Sequence, residues 1–267
     1  MPELPEVETV CNAIKKSIKT NKVKEFTIIN PKLRWKIDQN IKKLLHKVNI
    51  KKIYRRGKYI ILEFKHGNLV IHLGMTGFIK FLKNKYKIDK HDHYEIKFQD
   101  NTILRYNDVR KFGSVHWTKN IEDNFLIKNL GVEPLSNNFN YGYIQNISKK
   151  RNIAIKNIIM DQKIVVGIGN IYASEALYMS KIKPNKNCKL LSTDNFKNLV
   201  RSIKKVLQKS IQAGGTSIKD FQNVDGAPGY FKQKLLVYGL KKCTCGKNIK
   251  NIKINGRSSF YCSNCQK

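Results

Sequence analysis

The amino-acid sequence predicts an α+β protein: an N-terminal antiparallel β-sandwich fronted by one helix, then a helical domain ending in a cysteine-bearing β-hairpin. Three observations lead there. Val7, Val10, Cys11, Ile14 and Ile18 recur at helical spacing directly after the opening MPELPE. From about 23 to 118 the chain turns to short β-rich runs, among them YIILEF, NLVIHL, YEIKF and TILRY, parted by Gly, Asn and Asp turn signals. Between about 121 and 215 helical periods take over, and four of the six cysteines crowd into the last 25 residues.

In chain order, the first helix tolerates Pro5 because a first-turn residue has no intrahelical N–H bond to lose. Glu6 and Glu8 sit where the helix dipole favours negative charge. The β-rich runs look like those of an antiparallel sandwich or barrel. The clearest later helix carries Phe196, Leu199, Val200, Ile203, Val206, Leu207 and Ile211 and stops at AGG. The β-to-helix boundary is expected near GVEPLS at 131 to 136. The tail from about 233 reads as a hairpin too small to bury a core of its own, which calls for a metal staple. These readings divide the chain into 1–134, 135–228 and 233–267, with no internal repeat.

The 52 Lys and Arg against 19 Asp and Glu leave a formal net charge of +33, which implies a polyanionic partner. Lys, Asn and Ile abound throughout, so compositional drift supplies part of that charge, but acidic residues have not risen with it. Charge does not choose between DNA and RNA. No apolar run approaches the ~18 residues that span a bilayer, and the N-terminus lacks the basic-then-apolar order of a signal peptide, so a cytoplasmic protein is expected. In a reducing compartment the four clustered cysteines read as metal ligands, and Cys11 and Cys188 as small core residues.

The opening also carries chemistry. If Met1 is trimmed, Pro2 presents an amine with a pKa of roughly 8, well below that of Lys, and such an amine can act as a nucleophile. Glu3 would stand beside it as a proton donor or acceptor. Read alone, the same residues also fit a frayed terminus. Lys58 in RRGKY is by composition one Lys among many, and the glycine pair of GIGN at 167 to 170 fits a plain helix–helix turn. Only eight of the 52 basic residues are Arg (34, 55, 56, 105, 110, 151, 201 and 257), which suggests that Arg is kept where a planar fork or stacking is required.

One resemblance spans nearly the whole chain. MPELPEVETV, RRGKY, HLGMTG, KHDHYE, DVRKFG, VVGIGNIYASEAL, GGTSIKDF, GAPGYF and GRSSFYCSNCQK follow one another in the order found in bacterial formamidopyrimidine-DNA glycosylase, a bifunctional repair enzyme for oxidised purines. The sister group acting on oxidised pyrimidines is similar in architecture but typically has Gly where this chain has Leu4. A non-catalytic DNA-binding protein that keeps the fold is the reading from a different class.

The resemblance implies that Pro2 attacks the deoxyribose C1′, that Glu3 handles protons at the sugar, and that Glu6 has a structural or relay part nearby. Lys58 would contact the phosphate beside the lesion and assist elimination. Met75, Arg110 and Phe112 would form the wedge that fills the gap left by a flipped-out nucleotide. His91 and Arg151 match further DNA contacts, and Asn170 matches the phosphate-binding residue of a helix-two-turn-helix clamp. Arg257 would grip a phosphate and assist the second elimination, while Lys219, in the base-pocket loop, is a weaker carry-over. Expected partners are double-stranded DNA containing oxidised purines or abasic sites, with no membrane, for a monomeric enzyme.

The implied cofactor is one structural Zn²⁺ held by Cys243, Cys245, Cys262 and Cys265. Here the chain departs from the family: CTCG at 243 to 246 is a CxC pair where the family has CxxC, which forces a tighter arrangement of the first two thiolates.

Overall fold

The computed structural model describes residues 2–83, 87–216 and 235–267, which divide into two compact units. One runs from the N-terminus to Lys128 and takes in Gly214, Gly215 and Thr216; the other spans Asn129–Ala213 and the chain from Leu235 to Lys267. Lys219, most of GGTSIKDF and all of GAPGYF lie outside the described residues.

The first unit opens with helix α1 (Leu4–Ser17). Strand β1 (Val23–Ile28) and the short α2 (Ile41–Leu44) follow, then β2 (Ile50–Arg56), β3 (Tyr59–Phe64), β4 (Gly67–His72), β5 (Phe78–Lys83), β6 (Asp92–Phe98), β7 (Thr102–Asn107) and β8 (Ser114–Thr118). The strands make two antiparallel four-stranded sheets, ordered β1-β6-β7-β5 and β2-β3-β4-β8. Phe26, Tyr94, Ile96, Leu104 and Tyr106 of one sheet share a single core with Ile53, Ile60, Leu62, Leu69, Ile71 and Val115 of the other, the layered arrangement of a sandwich. Val7, Val10, Cys11 and Ile14 of α1 are buried, as is Ile18 at its C-terminal cap, and α1 packs on β2 and β3. That packing brings the start of the chain to the end of the β2–β3 hairpin.

The second unit is helical: α3 (Tyr141–Lys149), α4 (Ile155–Met160), α5 (Asn170–Met179), one 3₁₀ turn (Cys188–Leu190) and α6 (Thr193–Gln212), with β9 (Lys250–Ile254) and β10 (Arg257–Tyr261) forming the tail hairpin. Helices begin at Tyr141, not near 121. Residues 119–140 are turns and bends, tied down where Gly131 N–H donates to Gln162 O at 2.8 Å and Val132 bridges Val165. Pro134 and the asparagines of this stretch favour turns, which overrides its apolar spacing. Ser192 and Asn195 form a capping box at the start of α6, whose buried face includes Phe196, Leu199, Val200, Ile203, Val206 and Leu207. Among the described residues no helix is long and apolar enough to cross a membrane.

In the first unit Asp92 is fully buried and accepts hydrogen bonds from Lys80 Nζ (2.9 Å), Asn107 Nδ2 (2.8 Å), Asp89 N–H (2.8 Å) and Arg105 Nη1 (3.2 Å). Burial pushes its pKa up, but the bonds from Asn107, Asp89 and Lys80 outweigh burial and hold the carboxyl below its usual range. The folded protein thus takes this proton less readily than the unfolded chain. Its contribution is complete above the unfolded value of about 4 and is lost as pH falls through the lower folded value. Thermal melts should therefore show Tm falling as pH drops below about 4, with Asp92→Asn less stable at neutral pH and shallower on the acid limb. An identical acid limb in the variant would assign it to other carboxylates.

Candidate functional site

The N-terminus is not frayed: Pro2 and Glu3 are both buried. Glu6, one turn into α1 and 1 % exposed, accepts the Glu3 N–H at Oε2 (2.8 Å) and the Thr216 N–H and hydroxyl at Oε1 (2.8 and 2.9 Å). In all three of these bonds Glu6 is the acceptor, so the carboxylate acts here as an anchor, fixing the backbone that carries Pro2 and Glu3. Glu8, two residues further along α1, pairs with Arg55 Nε at 2.6 Å, and Arg55 Nη1 also donates to Gly57 O at 3.0 Å. Those bonds tie α1 to the two-residue β2–β3 turn, Gly57–Lys58, between the paired residues Arg56 and Tyr59. Lys58 is only 9 % exposed, unlike a solvated surface lysine.

His72, at the end of β4 opposite Tyr59, has its pKa lowered to about 4, first by burial and then by the Lys58 and Arg34 charges. It is neutral at physiological pH. Its Nδ1 lies 3.2 Å from the Gly74 N–H and accepts that bond, so the ring proton is on Nε2.

The loops after β4 and β7 meet beside His72. At Gly74, with φ +70°, a Cβ would come within 2.4 Å of the Gly113 nitrogen, so only glycine lets the two loops touch. Asp108, fully buried, organises both. Its Oδ1 accepts from Thr76 Oγ1 (2.6 Å) and Arg110 N–H (3.2 Å), and its Oδ2 from Gly113 N–H (2.8 Å) and the Tyr106 hydroxyl (3.2 Å). The Asp108 N–H donates to His91 O at 3.0 Å, which joins the His91 segment to the same knot.

What this knot holds up is exposed. Met75 and Phe112 are 36 % and 43 % exposed, so neither is a core residue, and the Arg110 guanidinium lies 4.7 Å over the Phe112 ring. They line a concavity of ≈ 720 Å³ with Arg34, His72 and Lys111. Arg34 stacks in turn on Trp35 at 4.7 Å. Asp108 was not singled out from the sequence, where its only signal is its place in DVRKFG.

In the second unit Asn170 is the first residue of α5. Its Oδ1 accepts from Lys156 Nζ (2.6 Å) and its Nδ2 donates to Ser258 O (2.9 Å). Lys156 is almost wholly buried and also donates to Ser259 Oγ (2.7 Å) and Ser258 O (3.2 Å), stitching α4, α5 and β10 together. The β9–β10 turn is Asn255–Gly256, with φ +48° and +72°, the Asn-Gly pair that such a tight hairpin favours, and Arg257 follows directly. Arg257 and Arg151 line one concavity of ≈ 440 Å³ with Lys156 and Asp161, the last 3.5 Å from Arg151. Lys156 also escaped notice in the sequence, since a buried lysine looks like any other.

The four tail cysteines come together. Their sulfurs all lie within 4.8 Å of one another, with Cys243–Cys265 at 3.7 Å and Cys245–Cys262 at 3.6 Å. An ion held by four thiolates at ~2.3 Å has S···S edges of ~3.8 Å, so the donor set fits a tetrahedral metal. The CxC pair achieves this through a tight turn in which Gly246 N–H donates to Cys243 O and Cys243 N–H to Lys247 O, both at 2.9 Å.

Both units correspond to known domains. The formamidopyrimidine-DNA glycosylase N-terminal domain matches residues 1–115, and the H2TH domain of the same glycosylase matches residues 130–222. The chain belongs to the formamidopyrimidine-DNA glycosylase family. It is 46 % identical to the formamidopyrimidine-DNA glycosylase of Cellvibrio japonicus and 43 % identical to that of Histophilus somni, each over 100 % of both chains. Among solved structures it is similar to Lactococcus lactis Fpg in complex with an abasic-site DNA (35 % identity, 99 % of both chains, TM-score 0.90). It is also similar to MutM in complex with carbocyclic 8-oxo-G DNA (36 % identity, 100 % of both chains, TM-score 0.89).

Asp108→Asn would turn an NH₂ group toward donors that now meet a carboxylate oxygen. The expected loss is about 1–3 kcal/mol of unfolding free energy, measured by chemical denaturation. Unchanged stability would mean that the two loops hold their form without that carboxylate.

Proposed function

We propose that this chain excises oxidised purines, 8-oxoguanine and formamidopyrimidines, from duplex DNA and then cuts the abasic strand by β,δ-elimination. The observation that carries this reading is the buried, anchored N-terminus: Pro2 and Glu3 are held by the Glu6 contacts and do not fray. With Met1 removed, the Pro2 amine attacks C1′, the glycosidic bond breaks, and the base leaves with its bonding electrons. Opening of the sugar ring gives an iminium between Pro2 and C1′. That cation is an electron sink, so a proton can leave C2′ and the 3′ phosphate depart, after which loss of a second proton from C4′, on the conjugated iminium, expels the 5′ phosphate. Glu3 serves as the proton donor and acceptor at the sugar.

Lys58 contacts the phosphate beside the lesion, and Arg257 grips a phosphate and assists the second elimination. His91, Arg151 and Asn170 hold the DNA backbone, while Met75, Arg110 and Phe112 fill the space of the extruded nucleotide. The exposure of Met75 and Phe112 and the stacking of Arg110 on the Phe112 ring support that division, since an inserted wedge must present apolar and planar surface. The partners in the solved neighbours, DNA with an abasic site or a carbocyclic 8-oxo-G, support it as well. Cys243, Cys245, Cys262 and Cys265 hold one Zn²⁺, which supplies folding energy to the small hairpin and takes no part in the chemistry.

Borohydride added during turnover on a duplex with one 8-oxoguanine opposite C should reduce the iminium and leave DNA linked to residue 2. A crosslink mapped to a lysine in fully processed protein would overturn the Pro2 assignment.

The wedge and clamp assignments make different demands. Arg110→Ala or Phe112→Ala should lower lesion turnover more than affinity for undamaged duplex, whereas Asn170→Ala should weaken binding to any duplex. Equal losses by all three on damaged and undamaged DNA would remove the distinction.

A further inference from the structure

The geometry points to a hydrogen-bond clip, running from Thr244 through Tyr178 to Cys243, that fastens the shortened cysteine pair to helix α5 and steadies the metal bound there. The inference rests on the reading of the four cysteines as a metal site.

Tyr178 lies in the last turn of α5 and is half-buried. Its hydroxyl is 3.0 Å from Cys243 Sγ and 3.2 Å from Thr244 Oγ1. A metal-bound Cys243 is a thiolate and can only accept. The single Tyr178 proton is therefore given to the sulfur, and the Tyr178 oxygen accepts the Thr244 hydroxyl proton. Thr244 is the one residue between the first two ligands, so the relay leaves the CxC turn at its midpoint and returns to it at the first sulfur.

The shortened turn explains why such a clip matters. The turn is braced by its own backbone, where Gly246 N–H donates to Cys243 O and Cys243 N–H to Lys247 O. These donors both belong to the turn itself and move with it. Tyr178 is different, because it stands on α5, most of which is buried in the second unit's core. Among the described residues no other sulfur of the cluster has a side-chain hydroxyl within hydrogen-bond reach from outside the tail segment. A hydrogen bond to a thiolate draws off part of its charge and fixes its direction, and outer partners of this kind set how firmly a metal is held.

Tyr178→Phe keeps the ring and its packing and deletes only the donor. In the zinc-loaded protein it should transfer its metal to the chelator 4-(2-pyridylazo)resorcinol about tenfold faster than the parent chain. In the cobalt-substituted protein the sulfur-to-metal charge-transfer bands should move to lower energy, because a thiolate without its hydrogen bond is a better electron donor. Thr244→Val should move both readouts the same way by less, since it removes only the group that polarises the tyrosine.

Unchanged release and an unchanged cobalt spectrum, in a variant that still binds metal, would overturn the clip alone. Faster release with an unchanged spectrum and a lowered Tm would also overturn it, showing that the ring merely packs. A folded parent protein found free of metal by elemental analysis would overturn the zinc reading, and the clip with it.

Discussion

The structure depends on buried carboxylates that accept hydrogen bonds where the chain must be held without a regular ladder. Glu6, Asp92, Asp108 and Glu175 are each at most 1 % exposed, in a chain with only 19 acidic residues. Each collects three or more donors. Glu175 in α5 receives the N–H groups of Leu236, Val237 and Tyr238 at 2.8–2.9 Å. An ionised acceptor buried with a full set of donors strengthens each bond, while one left half-satisfied would be costly. The excess of lysine over acid is thus a feature of the outside. Inside, the scarce negative charge positions the N-terminus, the loops after β4 and β7 and the segment that leads into the tail.

The arginines divide in a way that bears on the same point. Arg55 and Arg105 are consumed internally as forks: Arg55 bonds Glu8 and Gly57 O, and Arg105 bonds Glu95, Asp92 and Lys87 O. Arg34 and Arg110 are spread on aromatic rings at the surface of one concavity. Both uses need a planar cation with several fixed donors, which lysine cannot replace. The scarcity of arginine in the composition therefore marks particular positions, although composition alone does not say which are internal and which are exposed.

Much of the scaffold was legible because it rests on local periodicity. The apolar stripes of α1 and α6 bury the residues that their period selects, and the short β-rich runs become strands, although β3, β4 and β7 are buried along most of their length rather than on one face. The segment 119–140 was misread because spacing was given more weight than Pro134 and the asparagine turns. The candidate site residues rest on a different signal. Met75, Phe112, Lys58 and Asn170 came from motif resemblance, since singly each has a commoner structural explanation. Asp108, Lys156, Glu175 and Tyr178 were not found at all. The partners of Lys156, Glu175 and Tyr178 lie far off in sequence, Lys156 with Ser258 and Glu175 with Tyr238, and no period or motif spacing encodes such a meeting, while Asp108 bonds mostly within and beside DVRKFG, where nothing sets it apart from its neighbours.

Helix α5 shows what those long-range meetings accomplish. Asn170, Glu175 and Tyr178 fall within one half of its circumference, and at ~1.5 Å per residue they cover ~12 Å of its length. Asn170 bonds β10 at one end, Glu175 holds the chain at 236–238 in the middle, and Tyr178 reaches the cysteine turn at the other end. The tail has too little apolar surface to choose its own position, so its placement must come from outside. Three anchors on one rigid helix fix it against both sliding and rotation, and the residue so placed is Arg257, next to the Asn255–Gly256 turn. A shortened cysteine turn is tolerable in such a design, because the orientation of the hairpin is set by α5 as much as by the cysteine cluster.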